Sequence, residues 1–323
     1  MQDDHGRIID YARISITDRC NLRCVYCMPE EGVEKCGHAD ILTFEGILRV
    51  AGCLADLGVR KFKVTGGEPL VRRGVPGFVG ELKRIPGVES VTMTTNGILL
   101  PSHAEELRRA GLDGVNVSID TVDPELYAKI TRGGDVNQAL AGVDAALAAG
   151  FPRVKVNCVP LAGMGAEAIA GVAALARDRN VHVRFIEMMP MGRGELFTAP
   201  GREELRSMLK ERFGALTPCR EALGNGPAEY YALEGFAGRI GFIQTLDHGI
   251  CSRCNRVRLT ADGVLKACLH MDVGVGLKDA LSRNDDGELE RIVREAIERK
   301  PAHHEFAALP PGAETRGMSR IGG

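Results

Sequence analysis

The sequence carries no excess of charge of either sign: 41 Lys and Arg against 43 Asp and Glu leave a net charge of −2. That excludes a global basic field for nucleic acid, so any anionic ligand must be held by a local cluster of Lys and Arg. No apolar run approaches the roughly 18 residues of a membrane span. The opening segment MQDDHGRIID is acidic and lacks the apolar core of a signal peptide. Internal repeats and low-complexity linkers are also missing. These absences predict a cytoplasmic chain with neither membrane nor nucleic acid among its partners. In a reducing cytosol its ten cysteines read as ligands or free thiols rather than disulfides. Cys36, Cys53, Cys158 and Cys219 fall outside any cluster spacing and read as packing or surface thiols.

What is present begins with a short loop, CNLRCVYC, that brings Cys20, Cys24 and Cys27 together in a C-x3-C-x2-C pattern. Soft thiolates at this spacing suit three corners of an iron–sulfur cube and leave its fourth iron open. A structural zinc knot or three buried thiols are the alternatives, although structural zinc normally takes four ligands. A second set, Cys251, Cys254 and Cys268, reads C-x2-C-x13-C. A CxxC with a third cysteine signals a metal without saying which, and a zinc ribbon completed by His270 or His248 is the alternative. Between the last two cysteines, a strand would point Arg256 and Arg258 the same way, as a clamp for phosphate.

The pattern of elements is regular. Strands are predicted at Tyr11–Thr17, Lys61–Thr65, Val88–Thr94, Gly114–Ser118, Val154–Val159 and Val181–Glu187, with helices between them. Thr43 is placed to cap a helix that ends before Gly58. Six alternating βα units argue for an α/β fold with parallel strands, too few to close an eight-stranded barrel. The cysteine loop, Gly66-Gly67-Glu68-Pro69, TTNG and Ser118-Ile119-Asp120 all fall at strand ends, where parallel βα folds place ligands. After about Leu216 the pattern changes to short strands, with a hairpin signal at Ala261-Asp262-Gly263 and a helix at Glu288–Arg299. The expected architecture is an incomplete (βα)6 TIM-like barrel over residues 1–216, with an α+β extension over 217–323 packed on its open side.

The first cysteine loop, with Tyr26 just before its last cysteine, resembles the cluster loop of radical S-adenosylmethionine (SAM) enzymes. The wider set TDRCNLRCVYC, KVTGGEPL, TTNG, VSID, KVN, RFIEMMPMG, CSRCNRVRLTADGVLKACL and the closing MSRIGG resembles one family among them, the GTP 3′,8-cyclases. The resemblance covers essentially the whole chain. It implies two 4Fe–4S clusters, on Cys20, Cys24 and Cys27 and on Cys251, Cys254 and Cys268, with SAM as cosubstrate. Tyr26, Gly67, Ser118 and Met189 match SAM-contacting positions. Arg13, Lys61, Lys63, Thr94, Lys155, Arg184, Arg256 and Arg258 match positions that line the GTP site. Lys63 stands where the family carries arginine, so charge survives there and the planar two-point contact does not. In that family a 5′-deoxyadenosyl radical takes hydrogen from C3′ of GTP, and the sugar radical attacks C8. This lyase reaction opens molybdenum cofactor synthesis. It implies an electron donor, a product passed to cyclic pyranopterin monophosphate synthase, and compatibility with a homodimer. The Gly322-Gly323 tail would reach into the active site. Two other readings remain open on sequence: a radical SAM maturase acting on a peptide, and a non-enzymatic zinc-binding module.

Overall fold

The computed structural model describes residues 1–32, 37, 40–221, 223–247, 249–270, 274–304 and 318–322. Cys36, His248 and Gly323 lie outside the described residues. Six strands, β1 (Tyr11–Ser15), β2 (Lys61–Thr65), β3 (Ser90–Thr95), β4 (Gly114–Ser118), β5 (Val154–Cys158) and β6 (His182–Ile186), pair in parallel in sequence order. Between them run α1 (Phe44–Asp56), α2 (Val75–Arg84), α3 (Ala104–Arg109), α4 (Pro124–Thr131), α5 (Val136–Ala148) and α6 (Ala166–Asp178). This is the expected parallel α/β architecture.

Local signals fix these elements. The Thr43 hydroxyl accepts from Gly46 N at 3.1 Å and caps α1. At the other end Gly58 adopts φ +97, and its amide bonds the Ala55 carbonyl, a left-handed stop that a β-carbon would strain. α4 is capped by Asp123, whose carboxylate accepts from Leu126 N at 2.7 Å, with Pro124 in the first turn. α2 and α4 are additions to the predicted elements.

The C-terminal part joins the same sheet. α7 (Arg202–Phe213) leads to β7 (Thr217–Cys219), β8 (Glu229–Ala232) and β9 (Ile240–Ile243), and β9 pairs in parallel with β6. The chain continues through α8 (Gly249–Ser252) into β10 (Arg256–Leu259), which pairs in parallel with β1. β11 (Val264–Lys266) and β12 (Val275–Gly276) extend the far edge antiparallel. The result is a 12-stranded sheet in the order β12-β11-β10-β1-β2-β3-β4-β5-β6-β9-β8-β7. The segment from β9 to β10 therefore carries the chain from one edge of the parallel set to the other. α9 (Lys278–Ser282) and α10 (Asp286–Glu298) follow, and near the end of the chain lies the short α11 (Met318–Ile321).

Side chains alternate sharply along the barrel strands. Ala12, Ile14, Phe62, Val64, Val91, Met93, Val115, Val117, Val156, Val183 and Phe185 point to the helices and are buried in the apolar core. Their neighbours Arg13, Lys63, Thr94, Asn116, Lys155, Asn157 and Arg184 point inward. A parallel sheet covered on both faces normally reads as a continuous apolar run. Here the interior is polar and holds cavities.

Candidate active site

The first cysteine loop leaves β1 and is anchored by guanidinium groups on its backbone. Arg23 Nη1 donates to the Cys20 carbonyl at 2.7 Å, Arg193 Nε to Val25 at 3.0 Å, and Arg132 Nη1 to Arg23 and Met28 at 3.0 Å each. Cys20, Cys24 and Cys27 line one cavity of about 250 Å³ with Tyr26, Gly67, Ser118 and Met189, so the four SAM candidates and the triplet meet in one place. The Tyr26 hydroxyl donates to Asp120 Oδ2 at 2.7 Å. Burial pushes the Asp120 carboxyl up to about 6, against bonds from the Val159 amide and Tyr26. Burial likewise pushes Glu68 up to about 7, although it accepts from Asn96 N, Leu70 N and Thr95 Oγ1.

Gly66 and Gly67 are glycine for a reason the sequence alone did not give. A β-carbon on Gly67 would lie 2.4 Å from the Arg19 carbonyl oxygen, and one on Gly66 2.6 Å from that of Thr17. The Gly67 and Glu68 amides bond those same carbonyls at 2.8 and 2.7 Å. The close approach is therefore to the root of the cysteine loop itself.

Burial raises the Cys20 and Cys24 thiols, and Cys24 is raised further by Asp120 and by its companion cysteines. Thiolates packed this way need a cationic metal, and iron is what the donor set suits. Among the described residues no three Cys, His, Asp or Glu are grouped as a single metal ion requires. A four-iron cube spreads its thiolates more widely, and the cavity beside them has room for it. The residues present fit a cluster.

A second cavity holds Cys251, Cys254 and Cys268 together with His270, Lys300 and His304, on the side of the barrel bridged by the β9–β10 connection. His270 thus accompanies the second triplet, in edge contact with His304 at 6.1 Å between ring centroids. Arg256 and Arg258 both face this cavity, as the strand spacing predicted.

A third cavity lies deeper in the barrel and is lined by Arg13, Lys63, Thr94, Lys155, Arg184 and Arg256. Arg153, which the sequence reading missed, joins them. Arg13 sits between Arg258 on β10 and Lys63 on β2 in the strand register, so three cations occupy adjacent positions. Neighbouring strands are about 4.8 Å apart. Among the described residues no carboxylate lines this cavity. The cations rest on neutral oxygens instead. Lys155 donates to the Leu223 carbonyl and Arg184 to Asn157 Oδ1. With its amide oxygen turned inward, Asn116 accepts from Lys63 and from Arg184 Nη2. Burial, then Arg184, Arg13 and Lys155, hold the Lys63 ammonium well below its ordinary value. Burial, Arg184 and Arg153 push Lys155 down to about 7. Arg258 is lowered by burial, Arg13 and Arg256. Lys61 stands apart: its ammonium pairs with Asp10 Oδ2 at 2.7 Å and lines none of the three cavities.

Arg13 lines all three cavities, and Met189 and Arg258 are shared by the two that hold cysteines. The site is thus one interior with a cysteine triplet on each of two sides and cations between. The tail enters it: Ile321 is buried, and the Gly322 carbonyl accepts from Arg258 Nη1 at 2.6 Å.

Comparison with known proteins agrees with this geometry. Residues 14–176 match the radical SAM superfamily model, and residues 181–306 match the model described as Molybdenum Cofactor Synthesis C. Among solved structures, Streptococcus suis SuiB bound to its precursor peptide SuiA superposes with a TM-score of 0.66 at 11% identity, covering 94% of this chain and 68% of that one. That likeness is one of fold. Fold and site together define a radical SAM enzyme, a class that carries a 4Fe–4S cluster and SAM. A curated GTP 3′,8-cyclase from Pelotomaculum thermopropionicum is 45% identical, and one from Petrotoga mobilis 43%, each with both chains covered in full. The chain belongs to the GTP 3′,8-cyclase family.

Proposed function

We propose that the chain converts GTP into (8S)-3′,8-cyclo-7,8-dihydroguanosine 5′-triphosphate, the first step of molybdenum cofactor synthesis. The observation that carries this reading is the carboxylate-free row of buried cations inside the barrel. Buried cations whose cavity has no carboxylate among the described residues are costly, and a triphosphate is the ligand that offsets them. When bound, the first cluster and SAM supply the 5′-deoxyadenosyl radical that the chemistry requires.

The chain's own groups bind and orient. Tyr26, Gly67, Ser118 and Met189 hold SAM beside Cys20, Cys24 and Cys27. Arg13, Lys63, Thr94, Lys155, Arg184, Arg256 and Arg258 hold GTP, with the triphosphate among the cations of the deep cavity. Lys61 contributes through its pair with Asp10 rather than by direct contact. Cys251, Cys254 and Cys268 would hold another 4Fe–4S cluster, supplying an open iron as a ligand site for the nucleotide. Arg184 Nε and Arg256 Nε, buried and without a hydrogen-bond partner among the described residues, are donors available to the nucleotide. Residues 1–216 then form the radical SAM barrel, which also carries most of the GTP contacts, and residues 217–323 the extension that adds the second triplet, Arg256, Arg258 and the Gly-Gly tail. An electron donor feeds the reaction, and the product passes to cyclic pyranopterin monophosphate synthase. A homodimer in the cytoplasm is the expected setting.

The test is anaerobic turnover of the iron- and sulfide-reconstituted chain with GTP, SAM and a reductant. Formation of 5′-deoxyadenosine and of the cyclised nucleotide in step, followed by chromatography, is the expected result. SAM cleavage that is indifferent to GTP would overturn the assignment, as would a colourless protein holding zinc at both triplets.

A further inference from the structure

Beside the second cysteine triplet sits a buried ammonium group with no role in the site as described so far. Lys300 follows the C-terminal turn of α10 and is only 2% exposed. A buried ammonium is costly unless it is hydrogen-bonded and near negative charge. Among the described residues no Asp or Glu lines its cavity. The ammonium donates to the Ala267 carbonyl, in the residue before Cys268, and lines the same cavity as Cys251, Cys254 and Cys268.

The segment that carries Lys300 is tied to the triplet from outside. Arg7 donates through Nη1 to the Cys251 carbonyl at 2.9 Å and to Ala302 at 3.0 Å. Through Nη2 it donates to Pro301 at 2.6 Å and to Lys300 at 3.2 Å. Its Nε is held by Asp3 Oδ2 at 2.6 Å, and both residues are buried. One guanidinium therefore spans the Cys251 peptide and the 300–302 segment. Just beyond, His304 lines the same cavity as the three cysteines. The 300–304 segment thus walls the triplet's cavity and is tied to the Cys251 peptide through Arg7.

We propose that Lys300 is a positioning residue for the metal centre of the second triplet: its ammonium, held on the Ala267 carbonyl next to Cys268, offsets part of the centre's negative charge, while Arg7 fixes the segment that presents it. This rests on the second-cluster reading given above. Partners beyond the ligands orient them and tune the metal. For iron–sulfur centres, hydrogen bonds to sulfur and local charge set the reduction potential. A nearby positive charge favours the reduced, more negative state, so its removal makes the centre harder to reduce.

The test uses the full chain, reconstituted anaerobically with iron and sulfide. Iron is counted per chain, and both centres are titrated by electron paramagnetic resonance. SAM perturbs only the first centre's signal and tells the two apart. Lys300→Met is expected to shift the second centre to a lower potential with an altered signal, or to lose it, while the first centre and SAM binding stay as in wild type. Lys300→Arg, which keeps the charge and a donor, is expected to restore the second centre. A Lys300→Met chain whose second centre keeps its wild-type potential and signal overturns the proposal. So does loss of that centre in both variants, which would mean a purely steric role. A wild-type chain that loads iron at the first triplet alone would remove the two-cluster reading itself, and this is seen before any variant is made.

Discussion

Arg258 Nη1 and the carbonyl oxygen of Gly322 lie 2.6 Å apart, although 64 residues separate them in the chain. One of the arginines matched to GTP thus also grips the tail. Gly322 has φ +79, and a β-carbon there would lie 3.0 Å from Thr65 Cγ2 and 3.4 Å from Ser15 Cβ. Only glycine fits so close to the strand ends at that backbone angle. Ile321, 1% exposed, anchors the segment.

Removing Gly322 and Gly323 is therefore expected to leave fold, iron content and SAM binding intact, because Ile321 and the core remain. Cyclised nucleotide should fall to near zero, since Arg258 loses its positioning partner. Chromatography of anaerobic reaction mixtures decides it. Turnover at the full-length rate would show that the tail only fills space.

Arg256→Ala and Arg258→Ala should each weaken GTP binding while iron content stays near wild type. Charge-assisted hydrogen bonds of this kind are worth roughly 1.5–3 kcal/mol, about ten- to hundredfold in affinity. Lys61→Met should leave GTP affinity within about twofold, because Lys61 is already paired with Asp10. Anaerobic calorimetry measures all three. Equal losses in all three variants would mean that the cavity boundaries drawn above are wrong.

Lys155 makes GTP binding pH-dependent. Its ammonium sits near pKa 7 in the free protein, well below its ordinary 10.5. A bound triphosphate favours the charged form and raises that value. At pH 8 free Lys155 is mostly neutral and bound Lys155 protonated, so binding takes up a proton. Affinity should decline as pH rises above about 7. Calorimetry in two buffers of different ionisation enthalpy reads the uptake, and Lys155→Met should reduce it. Identical heats in both buffers for the wild-type chain would contradict this.

The sequence made the six barrel strands and the site's chemistry readable, because both depend on local pattern. Arg13, Lys63 and Lys155 were named by their match to the family and fall on predicted strands, and the motifs fell at strand ends. Thr43, Gly58 and the turn at Gly263 behaved as their residue types predict. Partners distant in sequence were not readable. Nothing local says that Arg256 pairs in register with Tyr11 or that Ile240 pairs with Val183. Those pairings place the second triplet beside the barrel's interior. α2 was missed because Gly77, Gly80 and Pro76 weaken its helical signal. Asp123-Pro124, by contrast, was a usable start signal for α4. The roles of Asp120, Arg132 and Arg193 depend on bonds to the cysteine loop that only the folded chain supplies.

Gly67 is the sharpest place to separate the two iron sites. Gly67→Ala puts a methyl group 2.4 Å from the Arg19 carbonyl oxygen and 2.8 Å from that of Asp18. Both contacts are backbone, so no side chain can swing aside. Relief requires the Gly66–Glu68 turn to move off the segment leading into Cys20, and overpacking of this kind costs about 1–3 kcal/mol. The bonds from Gly67 N to Thr17 and from Glu68 N to Arg19 would weaken with it. The damage should be local, because the second triplet lies in a different cavity, on and just after α8 and in the turn after β11. Iron per chain is expected to fall by roughly half, with SAM binding lost and the second centre's resonance signal retained. Full iron content together with wild-type SAM affinity in Gly67→Ala would show that the glycine pair is not what sets the cysteine loop.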